Sequence, residues 1–392
     1  MGNTLSASPS PEQSPHQEIP LKGDEPIITG IATEWPSRLI GPEDLNKYAL
    51  KFYPENPLWL QKLLMLNTKT GIETRAVVDL WDDPRWLRDQ PPTAEEVDAA
   101  FRQYGVELAK KAALKALCES NIDPSSITHM VSVTATNAGS PGYDQLIARE
   151  LGLPDTTERI LLSGVGCAGG CAALRMASSL ADAATQRKKE ARILVVACEL
   201  CSIQIRSELH GASVSPIPRI GPVIFADGAA SLVVCNPLGL SDQSPKQFAV
   251  VDDRSVTAPG TIDEMSVYVS TYGFLATFSK KIPELAISSL QAPFKSLIQS
   301  NGMSSASPTD FYWALHPGGR AIIQGVQTAL SLPDEALSAS YEIYQTRGNS
   351  SSVSILAVLD KVREKKLPTP NVVACSFGTG MRTEMALLRR LE

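Results

Sequence analysis

Cys167 lies in the stretch Gly164-Val165-Gly166-Cys167-Ala168-Gly169-Gly170-Cys171. An apolar run over residues 160–165 precedes it, and a helical pattern from 168 to about 184 follows. A thiol at such a turn stands at the positive end of the helix dipole, which favours thiolate over thiol. The glycines and alanines around it leave the backbone bare, so a bulky acyl group could approach. By type alone the residue is either a nucleophile or a small buried packing group.

A cysteine nucleophile needs a base or charge partner, and its reaction needs a donor for the developing oxyanion. Only four histidines are available. His16 falls in a proline-rich N-terminal stretch, His129 within a strand pattern and His210 in a polar loop. His316 closes the run Phe311-Tyr312-Trp313-Ala314-Leu315-His316 and is followed by Pro317-Gly318-Gly319. Strand ends that open into glycine-rich turns are where α/β enzymes place catalytic groups. Asn349 stands in Arg347-Gly348-Asn349-Ser350-Ser351-Ser352, ahead of a helical pattern running to 363. Locally it reads as a plain N-cap. With a histidine it could also donate to a thioester carbonyl and stabilise the enolate left when a malonyl thioester loses carbon dioxide. Cys171 reads as packing, one helical turn past Cys167. Cys198 and Cys201 read as buried strand-end thiols, since no second cysteine pair has zinc-ligand spacing.

These groups need elements to hold them. Strand patterns cover 27–32, 127–136, 193–198, 312–316, 371–377 and 383–389, and 223–234 reads as two strands around an Ala-Asp-Gly turn. Helical patterns cover 95–120, 141–151, 285–301, 321–330 and 350–363. Strands separated by helices imply sheets covered on both faces. Ile193-Leu194-Val195-Val196-Ala197-Cys198 is echoed by Asn371-Val372-Val373-Ala374-Cys375. The echo suggests an internal duplication, with a linker at 236–246.

Composition narrows the class. The 392 residues are 43% hydrophobic and 20% charged, ordinary for a globular chain with a large core. A net charge of -6 without a basic run argues against nucleic acid as the main partner. No 18-residue apolar run is present, so no spanning helix is expected. Seven cysteines without an export signal read as reduced cytosolic thiols. Residues 1–26 hold Pro9, Pro11, Pro15, Pro20 and Pro26 among polar residues and are expected to be a disordered tail. Its start, Met-Gly-Asn-Thr-Leu-Ser, matches the N-myristoylation pattern with Gly2 as acceptor. A single myristoyl chain would give only marginal membrane attachment to a cytoplasmic protein.

Four motifs together resemble the type III polyketide synthases, the chalcone-synthase-like branch of the thiolase-fold condensing enzymes, and most closely the fungal members. They are Gly-Val-Gly-Cys-Ala-Gly-Gly around Cys167, Phe-Ala-Asp-Gly-Ala-Ala at 225–230, Trp-Ala-Leu-His-Pro-Gly-Gly at 313–319 and Arg-Gly-Asn-Ser-Ser-Ser at 347–352. The resemblance implies a thiolase-like αβαβα layered α/β fold of two duplicated halves, 27–238 with the nucleophile and 239–392 with the histidine and asparagine. It implies a homodimer that takes an acyl-CoA starter, adds malonyl-CoA units by decarboxylative Claisen condensation and closes a pyrone- or resorcinol-type ring. No metal or redox cofactor is implied.

In the same resemblance Cys167 carries the acyl chain, His316 pairs with its thiolate, and His316 with Asn349 binds the malonyl thioester. Phe225 matches a gatekeeping phenylalanine. Lys62 and Lys69 match two of three basic CoA-phosphate contacts, the third falling on Met65. Thr136 stands near a polar cavity position, and Ala321 among the substrate contacts. Ser376-Phe377-Gly378-Thr379-Gly380 replaces the plant Gly-Phe-Gly-Pro-Gly loop, bringing Phe377 and Gly378 to the cyclisation cavity. A second gating phenylalanine falls on Ala276, implying a roomier cavity than in plant members. The segment 260–283, with Met265, Tyr268, Tyr272, Phe274 and Phe278, is expected to line the acyl pocket. Two other activities could use the same trio: single-round condensation of the ketoacyl synthase III kind, and cysteine hydrolysis.

Overall fold

The computed structural model describes residues 18–215, 219–270 and 273–391. Thirteen strands follow one another along these residues: β1 (Ile27–Glu34), β2 (Arg38–Ile40), β3 (Arg75–Val77), β4 (His129–Val133), β5 (Glu158–Leu162), β6 (Arg192–Leu200), β7 (Asp227–Cys235), β8 (Phe248–Thr257), β9 (Met265–Ser270), β10 (Gly273–Phe278), β11 (Tyr312–Leu315), β12 (Asn371–Gly378) and β13 (Arg382–Arg390). Nine of them form one mixed sheet in the order β11-β12-β13-β8-β1-β7-β6-β4-β5, while β2–β3 and β9–β10 pair separately.

The sheet contains the same arrangement twice. In the first half β4 runs parallel to β6, and β7 is antiparallel to both β6 and β1. In the second, β11 runs parallel to β12, and β13 is antiparallel to both β12 and β8. The Val-Val-Ala-Cys echo falls on the equivalent strands β6 and β12. Its register is kept, because side chains alternate between faces. Val195 and Ala197 share the central core with Val372 and Ala374. Val196 and Cys198 face one outer layer, and Val373 and Cys375 the other. The half-sheets meet at only two residue pairs, Ile27 with Ala249 and Ile28 with Phe248.

The helices Gly169–Gln186 and Ser352–Glu364 form the layer between the half-sheets. Their facing surfaces are lined by Ala173, Ala177 and Ala181 on one helix and Val353, Ala357 and Val358 on the other. Val106–Glu119 and Tyr143–Leu151 cover the first half-sheet outside, and Gln291–Ser300 and Arg320–Ala329 the second. The expected αβαβα layering is therefore present.

The glycines after Cys167 serve this packing, which corrects the reading that they clear space for an acyl group. A Cβ on Gly170 would stand 2.3 Å from the Ser352 carbonyl oxygen and 2.5 Å from Ile355 Cγ2. A Cβ on Gly169 would stand 2.6 Å from Val133 Cγ2. The two central helices thus meet end to end where the catalytic groups emerge. Gly170→Ala is expected to destabilise the protein by about 1–3 kcal/mol through overpacking. Calorimetry should show Tm falling by several degrees, and an unchanged Tm would mean that the seam is slack.

Other expectations change in detail. Residues 223–234 are a single helical turn, Gly221–Ile224, followed by one strand. The Asp of the supposed turn is Asp227, fully buried, whose carboxylate accepts from Ser202 N and Val78 N at 2.7 Å each. The pattern over 95–120 is broken by a wide π-helical turn at Phe101–Gly105, and that over 285–301 splits into Ile282–Ser288 and Gln291–Ser300. The tail expected over 1–26 gives way to packed chain by residue 19. Ile19 is fully buried, its N–H bonds Asn371 Oδ1 at 3.0 Å and its carbonyl accepts from Arg389 at 2.8 Å. Gly2 and His16 lie outside the described residues.

Candidate active site

Cys167 sits in a 3-10 turn, Gly166–Ala168, at the entrance to the helix Gly169–Gln186. Gly378, at the end of β12, closes against this turn. A Cβ there would lie 2.4 Å from the Val165 carbonyl oxygen, so only glycine fits. His316 extends β11, its N–H bonding the Cys375 carbonyl at 2.8 Å. The Gly318 Cβ position is 3.2 Å from His316 Cδ2 and 3.4 Å from Nε2, which places that glycine flat against the imidazole.

Asn349 is held from three sides. Its backbone pairs with Ile224 and Ala226 on either side of Phe225, at 3.0 and 2.9 Å. Its Nδ2 donates to the Gly318 carbonyl at 3.3 Å, and its Oδ1 accepts from Ser351 N at 2.8 Å. Gly348 at φ +75° and Ser351 at φ +47° bend the chain sharply around it. Such backbone in a non-glycine residue costs about 1–3 kcal/mol and persists where its surroundings fix it. The Asn349 and Ser351 side chains both bear on the Cys167 sulfur. Cysteine, asparagine and histidine are therefore linked through Asn349 and Gly318.

The electrostatics differ from the thiolate expected at a helix terminus. Burial pushes the Cys167 thiol up to about 11, and the negative field of Glu199 adds to it. Hydrogen bonding from Ser351 and Asn349 works in the other direction without prevailing. Burial also pushes His316 down to about 3. Neither imidazole nitrogen has a hydrogen-bond partner among the described residues. The resting pair is a neutral thiol and a neutral imidazole, so the imidazole is free to take the thiol proton as the sulfur attacks. With the thiol titrating near 11, alkylation of Cys167 by iodoacetamide should quicken about tenfold per pH unit between pH 6 and 9. A rate flat over that range would show a preformed thiolate.

A narrow chamber of about 60 Å³ opens from the thiol, walled by Phe225, Met265, Phe274, Ala276 and Phe278. Past Gly166, Val267 and Thr379 it continues into an outer cavity of about 580 Å³. The segment 260–283 lines it as expected, with Tyr268 at the outer cavity and Tyr272 outside the described residues. Thr136 reaches the wall, donating to Glu199 Oε2 at 2.9 Å. Ala276 also reaches it. Phe274 and Phe278 flank Ala276 on the same face of β10, and Phe278 packs on Phe225 with ring centroids 5.8 Å apart. Phe377 is buried in the outer core and Gly378 is packed on the nucleophile turn, so neither lines the cavity. Of that loop, Thr379 and Gly380 do.

Lys62 and Lys69 lie outside this lining. Both are exposed on the helix Leu58–Lys69, with exposed Met65 between them. Leu60 and Leu63 of that helix pack on Val223, just before Phe225. Ala321 is exposed in the first turn of Arg320–Ala329. Its neighbour Arg320, missed from the sequence, stands 3.0 Å from the Gly71 Cβ position, close to the end of the lysine helix. Ser351, Gln204, Glu199 and Glu208 were missed as well. Glu199 is fully buried and accepts from Ala135 N at 3.0 Å, from Thr136 and from Ser352. Its only sequence signal was an acidic residue closing an apolar strand. Cys171, Cys198 and Cys201 are buried, and no cluster of three metal-ligating side chains occurs among the described residues.

Two half-sheets around a central helix pair, with a thiol from one half against a carboxamide from the other and an imidazole joined to that carboxamide through Gly318, define a thiolase-fold condensing enzyme. The model of the chalcone and stilbene synthase N-terminal domain matches residues 22–237, and that of the C-terminal domain matches 254–392. The chain belongs to this family, as a type III polyketide synthase and hence an acyltransferase. Type III polyketide synthase pspB of Penicillium soppii is 39% identical to it, over 93% of this chain and 96% of its own. Acylalkylpyrone synthase csyB of Aspergillus oryzae is 35% identical, over 97% of each. The crystal structure of the fungal type III polyketide synthase ORAS superposes with a TM-score of 0.91 at 36% identity, covering 94% of this chain and all of that one. CsyB complexed with CoA-SH superposes at 0.90 and 33%, covering 93% of this chain and all of that one.

Proposed function

We propose that this enzyme loads an acyl group from acyl-CoA onto Cys167, extends it with malonyl-CoA and closes the product as a pyrone or related ring. The observation that carries the reading is Cys167 on the wall of an apolar, aromatic-walled chamber, with the Asn349 carboxamide on its sulfur and also on the Gly318 carbonyl, beside His316. In loading, the sulfur attacks the thioester carbonyl while His316 takes its proton, and the CoA thiolate leaves. In extension, His316 and Asn349 donate to the malonyl thioester oxygen. Carbon dioxide departs, the enolate attacks the acyl carbon, and Cys167 is released to receive the lengthened chain. Thiol, imidazole and carboxamide suffice for these steps, so no metal or redox cofactor is called on.

In this reading Lys62, Lys69 and Arg320 take the CoA phosphates, and Phe225 in the chamber wall is the gatekeeping phenylalanine. The pyrone assignment draws on csyB, named as an acylalkylpyrone synthase, and CoA binding on its CoA-SH complex. A homodimer is proposed because β5 is one of the two edge strands of the sheet and exposes Leu161 there. Edges of this kind are ordinarily covered. No helix among the described residues is long and apolar enough to cross a membrane. A cytoplasmic enzyme is proposed, with Gly2 as the acceptor of a single weak lipid anchor.

The test is incubation with malonyl-CoA and a graded series of acyl-CoAs, with the mass of every product recorded. Two or more extensions followed by ring closure are expected. A single extension would point to the ketoacyl synthase reaction. Free starter acid without malonyl-CoA consumption would point to hydrolysis.

A further inference from the structure

Two polar side chains break the apolar wall of the chamber. Gln204 ends the 3-10 segment Cys201–Gln204, and Glu208 lies one turn on in the helix Ile205–Val214. Both line the same chamber as Cys167, and both are about 5% exposed. Each gives one oxygen to a backbone N–H of β10. Gln204 Oε1 accepts from Phe274 N at 3.1 Å, and Glu208 Oε1 from Ala276 N at 2.6 Å. The spacing matches, because four residues along a helix rise about 6 Å and two along a strand about 6.6 Å. These bonds fix the orientation of both groups. The remaining atoms, Gln204 Nε2 and Glu208 Oε2, are buried and have no partner among the described residues.

An unpaired buried donor beside an unpaired buried carboxyl oxygen is costly and calls for an explanation. Ordinary packing would have placed apolar side chains in this wall. Arg219 reaches the same edge of β10, donating to the Ala276 carbonyl at 3.3 Å, and forms no hydrogen bond to Glu208.

We propose that Gln204 and Glu208 bind a keto–enol pair of the extended chain, and that Glu208 takes the enol proton as the ring closes. The keto oxygen accepts from Gln204 Nε2, and the enol hydroxyl donates to Glu208 Oε2. In lactone closure the enol oxygen forms a C–O bond to the thioester carbon and the C–S bond to Cys167 breaks. The enol proton passes to Glu208. The sulfur leaves as thiolate and regains a proton through His316, and Glu208 later gives its proton to water, so the balance is one proton moved from oxygen to sulfur. Burial lifts the Glu208 carboxyl to about 7 against the pull of Arg219, so both protonation states are populated near neutral pH. A group poised in this way can both take and return a proton.

This inference rests on the polyketide reading above, and its test separates the two. Glu208→Gln keeps an oxygen for the Ala276 N–H and removes only the base. Acylation of Cys167 is followed by intact mass, carbon dioxide release from malonyl-CoA by label, and the ratio of ring-closed to open-chain product by mass and chromatography. The variant should still load Cys167 and release carbon dioxide. Its closed-to-open ratio should fall about a hundredfold, the usual scale of general-base loss. Linear β-keto acids should accumulate. An unchanged ratio would overturn the proposal. Loss of loading together with closure would also overturn it, by making Glu208 a purely structural group. If the unaltered protein fails to extend any starter, the polyketide reading falls, and this inference with it.

Discussion

Replacing Cys167 with alanine should abolish both the acyl-enzyme and the product, with turnover lower by about four orders of magnitude or more. Two thiols line the chamber, and burial pushes that of Cys201 well above the ordinary range beside the negative fields of Glu199 and Asp227, which leaves Cys167 to carry the acyl chain between extensions. Another thiol close in sequence, Cys171, lies one turn deeper in the helix, 2% exposed, and burial pushes it to about 12. It packs among Ala173, Val131 and Ile355 in the central core and does not line the chamber. Intact mass after incubation with acyl-CoA reads the result directly. An acyl adduct on Cys171 in the alanine variant would make Cys167 a packing residue and move the active site.

Asn349→Ala should separate the two half-reactions. Loading needs the thiol and the imidazole, which this substitution leaves in place. Decarboxylation needs a donor to the malonyl thioester oxygen, and Asn349 is oriented for that. Its Oδ1 is held by the Ser351 N–H at 2.8 Å, which leaves Nδ2 as the donating end, tied by a long 3.3 Å bond to the Gly318 carbonyl and bearing on the Cys167 sulfur. A weak tie of this kind can be exchanged for a ligand. Loss of one such donor costs about 10²–10³ in rate. Labelled carbon dioxide from malonyl-CoA should therefore fall by that factor while the acyl-enzyme still forms. Decarboxylation at the wild-type rate would remove Asn349 from the chemistry.

The trio was legible in the sequence because each member sits in a short local signature. Cys167, His316 and Asn349 lie where a strand or helix ends in a glycine-containing turn, and each turn is contiguous. The duplication was legible for the same reason, since four residues repeat on equivalent strands. The chamber wall was much harder to read. It is assembled from separate segments, and which face of β10 looks inward depends on its pairing with β9 and its packing on the helix Ile205–Val214. Hence Ala276 alone does not give the width of the cavity, because Phe274 and Phe278 stand on either side of it in the same wall. Gln204, Glu208 and Ser351 carried no spacing signal, as their roles come from burial and orientation. Two influences oppose each other at Cys167: the helix terminus, visible in the sequence, favours thiolate, and burial, visible only in the fold, favours the thiol. Gly169 and Gly170 were assigned to the substrate because the partner helix that crowds them lies more than 180 residues downstream.

The closeness of the two central helices has a consequence for how the molecule can be divided. The thiol comes from one duplicated half and the imidazole and carboxamide from the other, and the halves are in close contact where Gly170 rests on the Ser352 backbone. A chain severed in the loop between β7 and β8 would give two inert fragments. If they fold, catalysis should return on mixing them, at a rate set by how readily the helix ends dock. Reconstitution of this kind makes the enzyme a natural split reporter, silent in either piece alone.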